Sequence, residues 1–251
     1  MTGDANSKMN KIINAHPAVI SVWASVIAAG HLLPTLPILG TGGSFSLSTV
    51  LYPLSGIFFG PLAGALCSAV GGFIGSIIAP HTAWMGLGTF IVGTTTAFTT
   101  GCIAWKKLRY KAGAVLVYIT GTILWFTQEI GRSIFLFPLI FYGLGFTAMI
   151  AAFIFAGRMF AHKSRTLKFP AIWLCTFAGL IGGASIGNFF SLLLYKQPRE
   201  VWAALAAAAP VERAVFAAGA MLVGAPLLFG LNKIGIYAGP AVKEEEEKNE
   251  D

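Results

Sequence analysis

Residues 45–79 read FSLSTVLYPLSGIFFGPLAGALCSAVGGFIGSIIA, a stretch without one charged side chain. A membrane-spanning helix needs ~20 apolar residues, and fewer where protein surrounds it. The stretch is therefore long enough for two short spans. Gly60-Pro61 is the natural division, because proline disfavours helix in the residue before it. One long kinked helix is the alternative. The choice matters for the whole chain, since a single span here would invert every later segment.

Working outward, apolar segments fall at 17–36, 45–60, 61–79, 84–105, 112–128, 133–157, 169–195 and 212–232. Eight spans with the N-terminus inside put thirteen Lys and Arg residues on the inner side. Only Arg132, Lys196, Arg199 and Arg213 fall outside. Cationic loops are retained in the cytoplasm, so this orientation is favoured; seven spans would split the basic loops between the two sides. Trp84, Trp125 and Trp202 fall near the outer boundary, and Trp23, Trp105 and Trp173 near the inner one. An amphipathic indole belongs at such boundaries. The expectation is an all-α polytopic transmembrane helical bundle in the cell membrane, with both termini cytoplasmic. It divides into a cytoplasmic segment 1–16, a membrane domain 17–232 and an acidic cytoplasmic tail 233–251.

Composition agrees. Charged residues make up 11% of the 251 positions and mean hydropathy is +0.75, against about 25% charged in a soluble domain. Between residues 5 and 199 the one carboxylate is Glu129. A water-soluble fold of that length could not keep its surface hydrated. The net charge of +7 is explained by cytoplasmic loops, and no basic stripe on a polar face suggests nucleic acid. Cys67, Cys102 and Cys175 each sit inside an apolar run, without a C-x-x-C or Cys/His cluster, and read as small apolar side chains. No cleavage site is convincing before Pro34, so the first segment reads as a retained helix. Tail residues KEEEEKNED read as a solvated terminus.

Candidate binding residues cluster on the outer side. The loop 37–48, PILGTGGSFSLS, is uncharged and rich in glycine and hydroxyls. Gly40, Gly42 and Gly43 permit tight backbone paths, Thr41, Ser44 and Ser46 can hydrogen-bond a ligand, and Phe45 can cover it. An ordinary extracellular turn is the competing reading. Glu129 and Arg132 are three apart and can pair on one helix face or face a polar ligand. Asn188 is the one amide in the middle of a span, suited to interhelical bonding or to a ligand. Tyr195, Trp84 and His81 complete the pocket candidates. His31 and His81 lack a carboxylate partner and make a poor metal site. Walker A, H-E-x-x-H and G-x-S-x-G motifs are missing, as are paired intramembrane carboxylates. The sequence therefore suggests neither an enzyme nor a cofactor. It also shows no means of coupling transport to energy, so a partner that supplies energy is expected. Small residues at Ala24-x-x-x-Ala28, Gly60-x-x-x-Gly64, Gly71-x-x-x-Gly75 and Gly179-x-x-x-Gly183 suit close helix packing, mostly within the chain.

The stretch GGSFSLSTVLYPLSGIFFGPLAGALCSAVGGFIGSIIAP, followed by GTFIVGTTTAFTTGCIAWKK, resembles the substrate-binding (S) components of energy-coupling factor (ECF) vitamin transporters. The positions that carry the likeness are Phe45-Ser46 and Gly56-Ile57-Phe58-Phe59-Gly60-Pro61-Leu62-Ala63-Gly64. Residues 191–228, SLLLYKQPREVWAALAAAAPVERAVFAAGAMLVGAPLL, resemble the last two helices of such proteins. Together these cover about half the chain. The resemblance implies a substrate, commonly a vitamin, bound near the outer side beneath the loop joining the first two helices. It also implies a transmembrane coupling protein and two cytoplasmic ATPases as partners, with Ala24 and Ala28 contacting the coupling protein. The departure is helix number: family members typically have about six, and residues 112–157 look like an inserted pair.

Three functions follow as expectations. The leading one is a substrate-capture subunit energised by a separate ATPase module. The second is a membrane enzyme or lipid-handling protein using Glu129 with His81 or His31, which requires those groups to share one cavity. The third is a stand-alone carrier.

Overall fold

The computed structural model describes residues 17–38, 41–234, 236 and 238–240. The N-terminal segment, Gly40 and the tail beyond residue 240 lie outside the described residues. The described residues are 84% helical, which makes the protein an all-α bundle. Its helices are α1 (Pro17–Gly30), α2 (Ser48–Phe59), α3 (Pro61–Ile78), α4 (Phe90–Ala104), α5 (Leu108–Thr127), the short α6 (Glu129–Ser133), α7 (Leu136–Ala161), α8 (Lys168–Tyr195) and α9 (Arg199–Lys233). Among the described residues, five stretches are long and apolar enough to cross a membrane: α3, α4 with its preceding turn, α7, α8 with its preceding turn, and α9.

The 45–79 stretch is broken where proline chemistry said it should break. Gly60 takes φ 87° and ψ 173°, a conformation with positive φ that favours glycine, and Pro61 opens α3. The two helices fold back on each other about that point. Ser55 Oγ donates to the Gly64 carbonyl at 3.0 Å and lies 2.9 Å from Ser68 Oγ. A Cβ on Gly64 would stand 2.6 Å from the Gly56 backbone. Only glycine allows an approach that close.

Two helices are shorter than hydropathy predicts. The 17–36 segment is helical only to Gly30, and the 45–60 segment only from Ser48. Between them Pro34–Pro37 (β1) and Ser44–Ser46 (β2) pair as an antiparallel ribbon, where an irregular loop was expected. Two prolines in β1 preclude a helix there. The last segment differs in the other direction: α9 begins at Arg199 rather than at 212. The intervening AALAAAA run is built from the best helix former, which outweighs the Glu residues that lowered its hydropathy.

α8 is the central element. Gly179, Gly183 and Gly187 face Thr100, Thr96 and Val92 of α4. One register rises as the other falls, so the two helices are antiparallel. Gly145 of α7 packs on Ile181, and Tyr142 of α7 meets Asn188, again antiparallel. α5 runs parallel to α8: Tyr118 Oη donates to the Ala178 carbonyl at 2.7 Å, and Gly121 lies against Ser185. α1 runs parallel to α3, with Ala24 and Ile27 against Gly71 and His31 against Gly75. Chain direction thus alternates through the bundle. Outward positions such as Val22, Leu116, Ile123, Leu139 and Leu222 are exposed and apolar, the surface a lipid-facing bundle presents.

Trp125 and Trp202 face inward rather than outward. Both are fully buried and cross edge to face, with centroids 4.8 Å apart, beside Phe137. Trp125 Nε1 donates to the Gly131 carbonyl at 3.0 Å. The aromatic knot that they form ties α5 and α7 to the start of α9.

Candidate functional site

The ribbon after α1, the turns before α4, and helices α2, α4, α7, α8 and α9 enclose two adjoining chambers. Ile38, Phe45, Trp84, Val92, Ala184 and Arg213 border both. The inner and outer chambers hold about 530 Å³ and 620 Å³ of non-atom space, counting the parts continuous with the outside. Their lining has the usual character of a small-molecule site, mostly apolar with a few convergent polar groups.

One wall of the inner chamber is a hydrogen-bonded relay. Tyr52 Oη and His31 Nε2 are 2.6 Å apart, and His31 Nδ1 lies 3.0 Å from Thr82 Oγ1. Thr82 donates its own hydrogen to the Ala79 carbonyl at 2.9 Å. Its oxygen must therefore accept from Nδ1–H, which leaves Nε2 to accept from Tyr52. Glycines make the room: a Cβ on Gly75 would overlap the His31 ring, and one on Gly93 the Tyr52 ring.

The ribbon forms the lid. Gly43 lies against Trp84, where a Cβ would come within 3.0 Å. The Phe45 ring packs on Phe216 with centroids 5.1 Å apart, and the Arg213 guanidinium stacks 4.8 Å above Phe45. Thr41 Oγ1 donates to the Ile38 carbonyl and accepts from Gly43 N–H, both at 3.2 Å, shaping the turn. Trp84 is held by Tyr195, whose hydroxyl donates to the Trp84 carbonyl and whose ring lies 6.1 Å away. Asn188 Nδ2 donates to Tyr142 Oη at 3.3 Å.

Six of the sequence candidates line the chambers: Ser44 and Ser46 the inner, Thr41 and Asn188 the outer, Phe45 and Trp84 both. Tyr195 stands behind Trp84 as its support. His81, Glu129 and Arg132 do not line either chamber, and all three are exposed. Glu129 and Arg132 occupy the short α6, which projects beyond the aromatic knot. The acid–base assembly of Glu129 with His81 or His31 is consequently not gathered in one cavity; only His31 faces it. Ala24 and Ala28 are 3% and 6% exposed, packed inside the chain on the side of α1 that meets α3. That face of α1 is already used.

Sequence reasoning missed Arg213, Glu212, Tyr52, His31 as a wall residue, and Gln197. Hydropathy leaves Arg213 on the outer side at the edge of the last segment, whereas α9 begins at Arg199 and carries it into the bundle. His31 and Tyr52 are 21 positions apart, and no motif joins them. α7, part of the pair that looks inserted, supplies Phe137 and Phe141 to the outer chamber.

Comparison with protein-family models, with curated proteins and with solved structures finds no match to this chain.

Proposed function

We propose that the protein is a membrane-embedded substrate-capture subunit for uptake of a small molecule such as a vitamin, energised by a separate ATPase module. The observation that carries this reading is the pair of joined chambers roofed by the ribbon after α1, with Phe45 and Trp84 at their junction. It is the position implied by the likeness to ECF S components. The alternation of helix direction supports a topology of eight crossings with both termini cytoplasmic. On that topology the ribbon faces outward and the basic ends of α4, α7 and α9 face the cytoplasm. The short α1 and α2 fit such a bundle, because α2 is enclosed by protein along nearly its whole length and needs little lipid-facing surface. Energy would come from a transmembrane coupling protein and two cytoplasmic ATPases. The partner surface on α1 would be its outward side, at Val22 and Val26, rather than Ala24 and Ala28.

The test is native mass spectrometry of the purified protein together with co-purification from the native host. A retained small molecule in the absence of ATP, and an ATPase module in the pull-down, are expected. Finding neither overturns the proposal. A retained ligand with uptake by this chain alone in proteoliposomes would favour a stand-alone carrier.

A further inference from the structure

Among the described residues, Arg213 is the one arginine or lysine in the lining of the chambers. It lies twenty residues before the end of α9, ~30 Å along the axis at 1.5 Å per residue. Its guanidinium borders both chambers, and 11% of the side chain is exposed. Among the described residues its one hydrogen-bond acceptor is Glu212 Oε2, at 3.5 Å. The poor fit has a cause: adjacent residues on a helix do not face each other. Glu212 therefore offsets the charge of Arg213 without filling its fork of donors. A buried cation with unused N–H groups is costly, and the fork matches a carboxylate in two-point contact.

The surroundings narrow the ligand further. Glu212 borders the outer chamber and not the inner one, so the inner face of the guanidinium is open to an anion. The rings of Phe45, Trp84 and Tyr52 wall that chamber. The Tyr52 hydrogen is committed to His31, so its oxygen presents lone pairs only. With Glu212 adjacent, a dianion would set three negative charges against one cation, whereas a monoanion sets two.

We infer that the inner chamber takes a small monocarboxylate with a flat apolar body, its carboxylate paired with Arg213 and its body between Phe45 and Trp84. This rests on the capture reading above and names the chemistry of that site.

Titration calorimetry on the full chain in detergent tests it, with benzoate and 2-naphthoate against benzamide, 2-naphthamide and benzylamine. At least one acid binds roughly tenfold or more tighter than its amide, the scale of a charge-assisted pair. Arg213→Gln abolishes that preference, and Arg213→Lys weakens it because the fork is lost. Glu212→Gln keeps the cation, removes the competing carboxylate and tightens acid binding. That variant remains informative if the Arg213 variants fail to fold. Equal binding of acid and amide, preference for benzylamine, or weaker acid binding by Glu212→Gln overturns this inference and leaves the capture reading standing. Binding of none of the five also overturns this inference, while a retained molecule in the native mass spectrum keeps the capture reading standing.

Discussion

Tyr52 Oη stands 2.6 Å from His31 Nε2, joining α2 to the end of α1 in the wall of the inner chamber. The bond is buried and links residues from two helices that hydropathy alone would not pair. Its geometry, through Thr82, assigns both tautomer and donor.

Tyr52→Phe removes the donor and leaves Nε2 unpaired inside the protein. Loss of one partner of a buried hydrogen bond costs about 1–3 kcal/mol. A lower melting temperature in detergent is the expected result. An unchanged melting temperature would show that the relay is not structural.

The glycines around this relay make a sharper test. Gly75→Ala drives a methyl into the His31 ring, and Gly93→Ala one into the Tyr52 ring. Overpacking of this kind typically costs about 1–3 kcal/mol. Gly143, on α7, has nothing within 4 Å of its Cβ position. Gly143→Ala is therefore expected to be neutral or stabilising by up to ~1 kcal/mol, through helix propensity. Thermal unfolding of the three variants side by side checks the order; equal destabilisation by all three contradicts the assigned packing.

Position relative to the chambers predicts which candidates matter for binding. Phe45→Ala and Trp84→Ala remove walls shared by both chambers, and each should weaken ligand binding roughly tenfold or more, in line with loss of a buried aromatic contact. Glu129→Gln and Arg132→Gln alter exposed groups outside the chambers and should leave affinity within about twofold, as surface changes usually do. Titration of the retained ligand across the four variants decides the matter, and strong loss in the Glu129 or Arg132 variant would move the site.

How far the sequence could be read depended on how local the cause was. The break at Gly60-Pro61 was legible because the backbone limits of proline and glycine act within two residues. The start of α9 was not, because a hydropathy window counts Glu200, Glu212 and Arg213 against a helix that alanine propensity carries through. Of the site, Thr41, Ser44, Phe45, Trp84 and Asn188 were legible as unusual side chains in an apolar setting. Glu129 and Arg132 drew notice for the same reason, yet the knot of Trp125, Phe137 and Trp202 shields the chambers from them.

Composition and local steric rules suffice for an apolar helical chain, for the approximate places of most of its helices and for several lid residues. Only the tertiary structure decided which side chains share a cavity. It brought His31 to Tyr52, and Phe45 to Arg213 across more than 160 positions of sequence. Such meetings arise from helix packing, and here packing is set by where glycines let backbones approach, information that is spread over the whole chain and not carried by any one segment.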